Sequence, residues 1–181
     1  MNLKNKLKSK KVIIGIIGLG YVGLPLANSF VKKNIKVYGF DNDKTKIKKI
    51  NQGKSYINYF SDTHIRNMKK NNFRCFSSLE KIPEVDLIIL CLPTPINKNK
   101  SPDTSYIKNT LEDLKKYFRK YQTLSLESTT YPGTSREIIL PYLKKFTVGK
   151  DFFLVYSPER EDPGNKKYSI LKIPKVIGGY S

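Results

Sequence analysis

Residue types that would support several kinds of chemistry are scarce in this sequence. Among its 181 residues there are two cysteines, one histidine and no tryptophan. Cys75 and Cys91 stand in no CxxC or Cys/His spacing, so neither a disulfide framework nor a metal site is expected. The single histidine, His64, excludes catalytic schemes that need two histidines. Both thiols are expected to be free, as in a reducing compartment.

Long hydrophobic runs are also missing. No apolar stretch approaches the roughly 18 to 20 residues that cross a bilayer. The lysine-rich segment 1–11 contains no acidic residue and is not followed by a secretory cleavage pattern. The sequence therefore predicts a cytoplasmic protein without a membrane partner, in which residues 1–11 form a basic, poorly ordered arm.

Arginine is scarce although the chain is strongly basic. With 34 basic and 15 acidic residues the formal net charge is +19. Only five of the basic residues are arginines, at positions 66, 74, 119, 136 and 160, whereas phosphate and base recognition favours the bidentate guanidinium group. The lysines are scattered along the chain, so dedicated nucleic-acid binding is not expected.

Short β-branched runs alternate with longer amphipathic stretches along the chain. The runs are apolar at consecutive positions, which is typical of parallel strands covered on both faces. This order predicts an α/β protein whose single domain, 12–181, is a doubly wound, Rossmann-like, mostly parallel sheet with helices on both faces. The predicted strands are 12–17, 36–40, 73–76, 87–92, 123–127, 152–156 and 175–177, and the predicted helices are 22–33, 43–52, 62–70, 104–119 and 135–143.

The first predicted strand runs into a glycine-rich turn, in "VIIGIIGLGYVGLPLANSF". Gly18, Gly20 and Gly23 form a GxGxxG pattern between this strand and the first long helix. Such a turn lets a diphosphate approach the backbone at the N-terminus of the helix, where unpaired amides favour an anion. Glycines at these positions can also serve close packing alone, so the pattern by itself leaves both interpretations open.

An acidic residue at the end of the second strand favours the nucleotide interpretation. Asp41 closes "KVYGFD", at the position where a carboxylate accepts hydrogen bonds from the adenosine ribose. A carboxylate there would repel a 2′-phosphate and so favours NAD over NADP, although Lys44 and Lys46 are cations close by. The alternative is that Asp41 is the N-cap of the next helix.

Polar loops follow three further strands and are expected at the same edge of the sheet. They read "PTPINKNKSPD", "STTYPGT" and "SPEREDPGN". Together with "GLGYVGLPLA" and "DNDKTKIKKINQGKSYI", these motifs resemble the N-terminal, NAD-binding domain of the nucleotide-sugar 6-dehydrogenases, the UDP-glucose/GDP-mannose dehydrogenase family. The similarity is greatest to the UDP-N-acetylglucosamine 6-dehydrogenase branch, which shares Pro163 in place of a family glutamate.

The resemblance implies roles for individual residues. In the family, the matching residues hold the cofactor diphosphate (Gly18, Gly20, Tyr21, Val22 and Gly23), the adenosine ribose (Asp41 and Lys46), the nicotinamide half (Thr94 and Thr129) and the substrate (Glu159 and Arg160). Thr129 and Glu159 are the supporting catalytic residues.

The resemblance also implies a reaction and a limit. Family members oxidise the C6 alcohol of a UDP-sugar to a carboxylate, as a step towards surface polysaccharide precursors, in two hydride transfers that consume two NAD molecules. Their catalytic cysteine and the central helix that forms their homodimer have no counterpart before Ser181. We therefore predict that this chain alone does not turn over.

Two other functions stay open at this point. The chain could derive from a dehydrogenase of UDP-glucose or another nucleotide sugar, since most sugar contacts of the family lie outside this domain. It could also be a stand-alone regulatory module that binds the dinucleotide as a signal.

Overall fold

The architecture is a seven-stranded sheet covered on both faces. The computed structural model describes residues 3–96, 100–158 and 174–180. The strands are β1 (Ile13–Ile17), β2 (Lys36–Phe40), β3 (Phe73–Phe76), β4 (Leu87–Leu90), β5 (Thr123–Leu126), β6 (Phe153–Tyr156) and β7 (Gly178–Gly179). Their spatial order is β3-β2-β1-β4-β5-β6-β7, and every neighbouring pair is parallel except β6 and β7. The predicted doubly wound, mostly parallel sheet is confirmed.

The helices pack on the sheet through their apolar faces. They are α1 (Leu3–Lys8), α2 (Gly23–Val31), α3 (Lys44–Asn51), α4 (Asp62–Lys70) and α5 (Ser105–Leu114), with short 3₁₀ segments at Ile82–Glu84 and Leu140–Leu143 and a π-helical turn at Ser135–Ile139. Successive residues of β4 enter different cores: Ile88 packs with α5, whereas Ile89 packs with α2 and α4. None of the helices described is long and apolar enough to cross a membrane.

The N-terminal segment differs from the poorly ordered arm that the sequence predicts. Residues Leu3–Lys8 form a helix, and the Lys6 Nζ atom donates a 2.7 Å hydrogen bond to Oδ1 of Asp86. Asp86 is only 3% exposed and also accepts hydrogen bonds from Arg119 and from the Ile13 amide. Burial alone would raise the pKa of Asp86, but these donors hold it below its ordinary value. Asp86, which holds this segment, lies 80 residues from Lys6 in the sequence, so no local pattern predicts the contact.

Two further elements differ from the predicted ones. The last strand is Gly178–Gly179 rather than 175–177, because these two residues pair with Tyr156 and Val155 of β6, and Ile177 stays 70% exposed. The predicted helix 135–143 is a π-helical turn followed by a 3₁₀ turn. Pro141 has no amide hydrogen to donate, so a continuous α-helical ladder cannot form across this segment.

Candidate cofactor site

A cavity of about 710 Å³ lies at the carboxyl ends of β1, β2, β4 and β5. In doubly wound sheets this edge is where ligands bind, at the point where the strand order reverses. Eight of the predicted site residues line the cavity: Gly18, Gly20, Tyr21, Val22, Asp41, Lys46, Thr94 and Thr129. Glu159 and Arg160 lie outside the described residues, so their predicted roles stay predictions.

Two of the three glycines in the turn are required by the fold itself. Gly18 has φ +92°, and a Cβ there would lie 2.3 Å from the carbonyl oxygen of Cys91. A Cβ on Gly23 would lie 1.9 Å from the carbonyl oxygen of Gly18. Both distances are far below van der Waals contact, so Gly18 lets the turn approach the backbone that follows β4, and Gly23 lets α2 pack directly against the end of β1. For Gly18 and Gly23 the close-packing interpretation is correct.

Gly20 is different, because packing does not explain it. Apart from Gly20 and its two neighbours in the chain, no described residue has an atom within 4 Å of the position that its Cβ would occupy, and the residue lines the cavity. A side chain there would project into space that the protein leaves open. This open space beside the backbone fits the diphosphate of a dinucleotide.

The start of α2 adds electrostatic support for an anion. Its N-cap, Val22, provides no side-chain hydrogen bond to the first turn. Amides at a helix N-terminus that lack a cap carry partial positive charge towards whatever faces them. An anion held there is stabilised by about 0.3–1 kcal/mol at an exposed site.

Asp41 lies opposite the glycine turn, and the residue is 9% exposed. One oxygen, Oδ2, accepts a 2.9 Å hydrogen bond from the Leu19 amide, and Oδ1 accepts one of 2.9 Å from the Asp43 amide. Each carboxylate oxygen can accept about two hydrogen bonds, and the Lys46 ammonium group is a second donor to Oδ2, so Oδ1 keeps capacity for a ribose hydroxyl. The carboxylate therefore orders the glycine turn and faces the cavity at the same time.

The capping interpretation of Asp41 is wrong. The N-cap of α3 is Asp43, whose side chain accepts from the Thr45 and Lys46 amides at 2.9 and 3.3 Å. The hydrogen bond from the Thr45 hydroxyl, followed by those of the two amides, lowers the pKa of Asp43 below its ordinary value. Because Asp43 satisfies the helix, Asp41 is left for the cavity.

Lys46 is the cation closest to Asp41 among the described ion pairs. Its Nζ atom is 3.4 Å from Oδ2 of Asp41, and its side chain is 35% exposed. A positive charge at this distance offsets part of the carboxylate's repulsion of a phosphate. The Asp41 carboxylate still favours NAD, but the nearby ammonium group makes the preference for NAD over NADP smaller.

The opposite wall is built by the loops that follow β4 and β5. The Thr94 hydroxyl donates a 2.6 Å hydrogen bond to the carbonyl oxygen of Thr129. The Leu92 amide donates a 3.0 Å hydrogen bond to the Ser128 hydroxyl. The structure thereby brings the two predicted threonines together, 35 residues apart in the chain.

Some cavity residues were not predicted. Tyr106, Thr110 and Asp113 of α5 line the cavity, and their spacing of four and three residues places them on one helix face. That spacing was available in the sequence, but nothing local links the face to a cavity. Glu127 also lines it; the residue is 7% exposed, and its carboxylate pairs with the Lys175 ammonium group.

A glycine turn before α2, an acid at the end of β2 and a cavity across the carboxyl ends of a doubly wound sheet define a dinucleotide-binding domain. The chain belongs to the UDP-glucose/GDP-mannose dehydrogenase family, whose model for the NAD-binding domain matches residues 12–181. The predicted family and the predicted NAD cofactor are confirmed.

Known relatives support this assignment over nearly the whole chain. Protein CapL of Staphylococcus aureus is 37% identical over 169 residues, covering 92% of this chain and 39% of its own. The UDP-N-acetyl-D-glucosamine 6-dehydrogenase of Pseudomonas aeruginosa is 36% identical over 174 residues, covering 94% and 40%. The solved structure of the UDP-N-acetyl-mannosamine dehydrogenase Cap5O from S. aureus superposes with a TM-score of 0.82 at 28% identity, covering 93% of this chain and 42% of its own. The chain spans about two fifths of the length of these relatives.

Proposed function

We propose that this chain is the cofactor-binding part of a UDP-N-acetylglucosamine 6-dehydrogenase, which oxidises the sugar C6 alcohol to a carboxylate in two steps. The observation that carries the proposal is the cavity itself, where the open space at Gly20 and the Asp41 carboxylate face the linked Thr94 and Thr129 loops. The choice of sugar is supported by 36% and 37% identity to two UDP-N-acetyl-D-glucosamine 6-dehydrogenases, against 27–30% to UDP-N-acetyl-D-mannosamine dehydrogenases.

The residues of the cavity divide the work of holding a dinucleotide. The Gly20 and Val22 backbone binds the diphosphate, with Gly18 and Gly23 shaping the turn, and Asp41 with Lys46 binds the adenosine ribose. Thr94 and Thr129 orient the nicotinamide end, since their loops are joined by a hydrogen bond. NAD, when bound, supplies the hydride acceptor. Glu159 and Arg160, outside the described residues, complete the proposal as the groups that face the substrate.

The proposal includes binding without turnover by residues 1–181 alone. The second oxidation needs a thiolate that attacks an aldehyde, and thiolates form readily only where the thiol pKa is lowered. Burial raises the pKa of the Cys75 thiol to about 11, and its sulfur donates to Oδ1 of Asn51 at 3.5 Å, beside β3. Cys91 also lines the cavity, and its backbone carbonyl oxygen packs against Gly18. It does not correspond to the catalytic cysteine of the family. We also propose, as parts of the same function, that the whole enzyme has a further catalytic part with the nucleophilic cysteine, forms a homodimer and is cytoplasmic.

Calorimetric titration with NAD and an absorbance assay of NADH formation test the two parts of the proposal separately. We expect one NAD site, and no NADH when UDP-N-acetylglucosamine is added with NAD. Failure of the folded chain to bind NAD would contradict the assigned site. NADH formation by the chain alone would contradict the predicted lack of turnover and leave the cofactor site standing.

The sugar can be tested on the NAD-saturated chain. Titration with UDP-N-acetylglucosamine, UDP-N-acetylmannosamine and UDP-glucose should give the tightest binding for the first, and Arg160→Ala should weaken it. Tighter binding of UDP-N-acetylmannosamine would contradict the choice of sugar, whereas equal affinity for the three would assign that choice to the sugar contacts outside this domain. A preference for UDP-glucose would favour the alternative enzyme of the same family.

A further inference from the structure

Two tyrosines from the segment between α3 and α4 contact the glycine turn from outside the cavity. The Tyr56 hydroxyl donates a hydrogen bond to the carbonyl oxygen of Leu19. The Tyr59 hydroxyl donates one of 2.9 Å to the carbonyl oxygen of Tyr21. The Tyr59 ring also lies against the Tyr21 ring, with centroids 6.0 Å apart. Neither Tyr56 nor Tyr59 lines the cavity, whereas Gly20, Tyr21 and Val22 do.

The direction of these bonds determines where the neighbouring amides point. In a trans peptide the C=O and N–H groups point in opposite directions. The Leu19 carbonyl points at Tyr56, so the Gly20 amide points the other way. The Tyr21 carbonyl points at Tyr59, so the Val22 amide points the other way as well. Both amides are therefore directed from the tyrosines towards the cavity side of the turn.

These two amides are available to a ligand. Within the described part of the chain, neither the Gly20 nor the Val22 amide donates to a protein acceptor. A row of uncommitted backbone amides beside open space is the arrangement that binds phosphate oxygens. Leu19 does not share this freedom, because its amide donates to Asp41.

The segment that carries the tyrosines is itself fixed to the domain. Ile57 and Phe60 are 3% and 5% exposed and belong to the core beneath α2. The Ser55 amide donates a 2.7 Å hydrogen bond to Asp62, in the first turn of α4. Burial raises the pKa of Tyr56, so its hydroxyl stays protonated and remains a donor across the physiological range.

We infer that Tyr56 and Tyr59 are positioning residues of the diphosphate site. Their hydroxyls hold the Leu19 and Tyr21 carbonyls so that the Gly20 and Val22 amides face the two phosphates of the dinucleotide. The inference rests on the dinucleotide site described above and adds to it the residues that orient its backbone donors. Neither tyrosine touches the cofactor.

The test compares a ligand that has the diphosphate with one that lacks it. NAD binding is measured by calorimetry and adenosine binding by NMR titration, on wild type, Tyr56→Phe, Tyr59→Phe and the control Tyr121→Phe. Tyr121 is a suitable control because it is 62% exposed and precedes β5, at the opposite edge of the sheet. We expect each of the two variants to weaken NAD binding about fivefold, the effect of one lost hydrogen bond, and to leave adenosine binding unchanged.

Each other outcome is decisive. Unchanged NAD affinity in both variants would overturn the inference alone. Equal weakening for NAD and adenosine would overturn it in favour of a general structural role. Thermal unfolding without ligand checks that each variant is folded. If Tyr56→Phe is unstable, the NAD and adenosine affinities of Tyr59→Phe test the inference, because Tyr59 is exposed. Absence of NAD binding by the wild type would overturn the cofactor site, and the inference with it.

Discussion

Two buried aspartates, at opposite edges of the sheet, are used in different ways. Asp86 lies at the start of β4 and is 3% exposed, and Asp41 follows β2 and is 9% exposed. Lys6, Arg119 and the Ile13 amide surround Asp86, and no described cavity reaches it. Asp41 has two backbone donors, a more distant lysine and a cavity beside it. A buried acid held by its own donors away from any described cavity stabilises the fold, whereas a buried acid that borders a cavity can also bind a ligand.

The largest effect on stability is expected at Asp86, at the amino-terminal ends of the strands. Asp86→Ala should lower the free energy of unfolding by about 3 kcal/mol, because Lys6 and the Ile13 amide lose their acceptor and Arg119 loses its carboxylate partner while keeping its carbonyl acceptors. Urea denaturation measures this change, and the NAD affinity of the folded variant should match wild type. Lys6→Ala, which leaves Arg119 in place, should cost much less. If Asp86→Ala weakened NAD binding, the separation between the two edges would fail.

The next largest effect is expected on NAD affinity at Asp41, at the carboxyl ends of the strands. Asp41→Ala should raise the Kd for NAD about 30-fold, or about 2 kcal/mol, because charged hydrogen bonds to the ribose are lost. Calorimetry measures the change. Its cost to the free energy of unfolding should be smaller than that of Asp86→Ala, since the groups that lose a partner are two amides and a partly exposed lysine at the longer distance of 3.4 Å. An unchanged Kd would remove Asp41 from the site.

A third comparison separates two glycines of one turn. Gly20→Ala should weaken NAD binding about tenfold, since the methyl group enters the space assigned to the diphosphate, and should change stability by less than about 0.5 kcal/mol. Gly23→Ala is the matched control, because its Cβ would lie 1.9 Å from the Gly18 carbonyl oxygen. It should destabilise the fold by about 1–3 kcal/mol. Tight NAD binding by Gly20→Ala would show that the diphosphate lies elsewhere.

The smallest effect is the pH dependence of Asp86. Its pKa in the folded protein lies below the ordinary value of 3.8, so the ionised carboxylate contributes stability above that value. This contribution is lost as the pH falls from 3.8 through the lower pKa of the folded protein. In acid denaturation, the stability difference between wild type and Asp86→Asn should be constant near neutral pH and narrow below 3.8. A difference that widened in acid would contradict the sign of the shift.

Part of the site was predictable because its signals are local or regularly spaced. The GxGxxG turn, the acid that closes β2 and the apolar runs each lie within a few residues, and together they predicted the sheet, the edge and the dinucleotide. The π-helical turn at Ser135–Ile139 and the helix at Leu3–Lys8 were not predicted. Their conformations depend on Pro141 interrupting a helical pattern and on an acid beyond the segment's own sequence.

The sequence by itself determined the class of fold, the family and most of the residues predicted to bind the cofactor that line the cavity, since these follow from periodicity and from motifs in a fixed order. Only the tertiary structure decided which buried acid borders the cavity, which aspartate caps α3 and which glycine faces open space. It also placed the Tyr56 and Tyr59 hydroxyls on a turn 37 and 38 residues away. Such contacts arise when the sheet order brings distant segments together, and no local spacing records them.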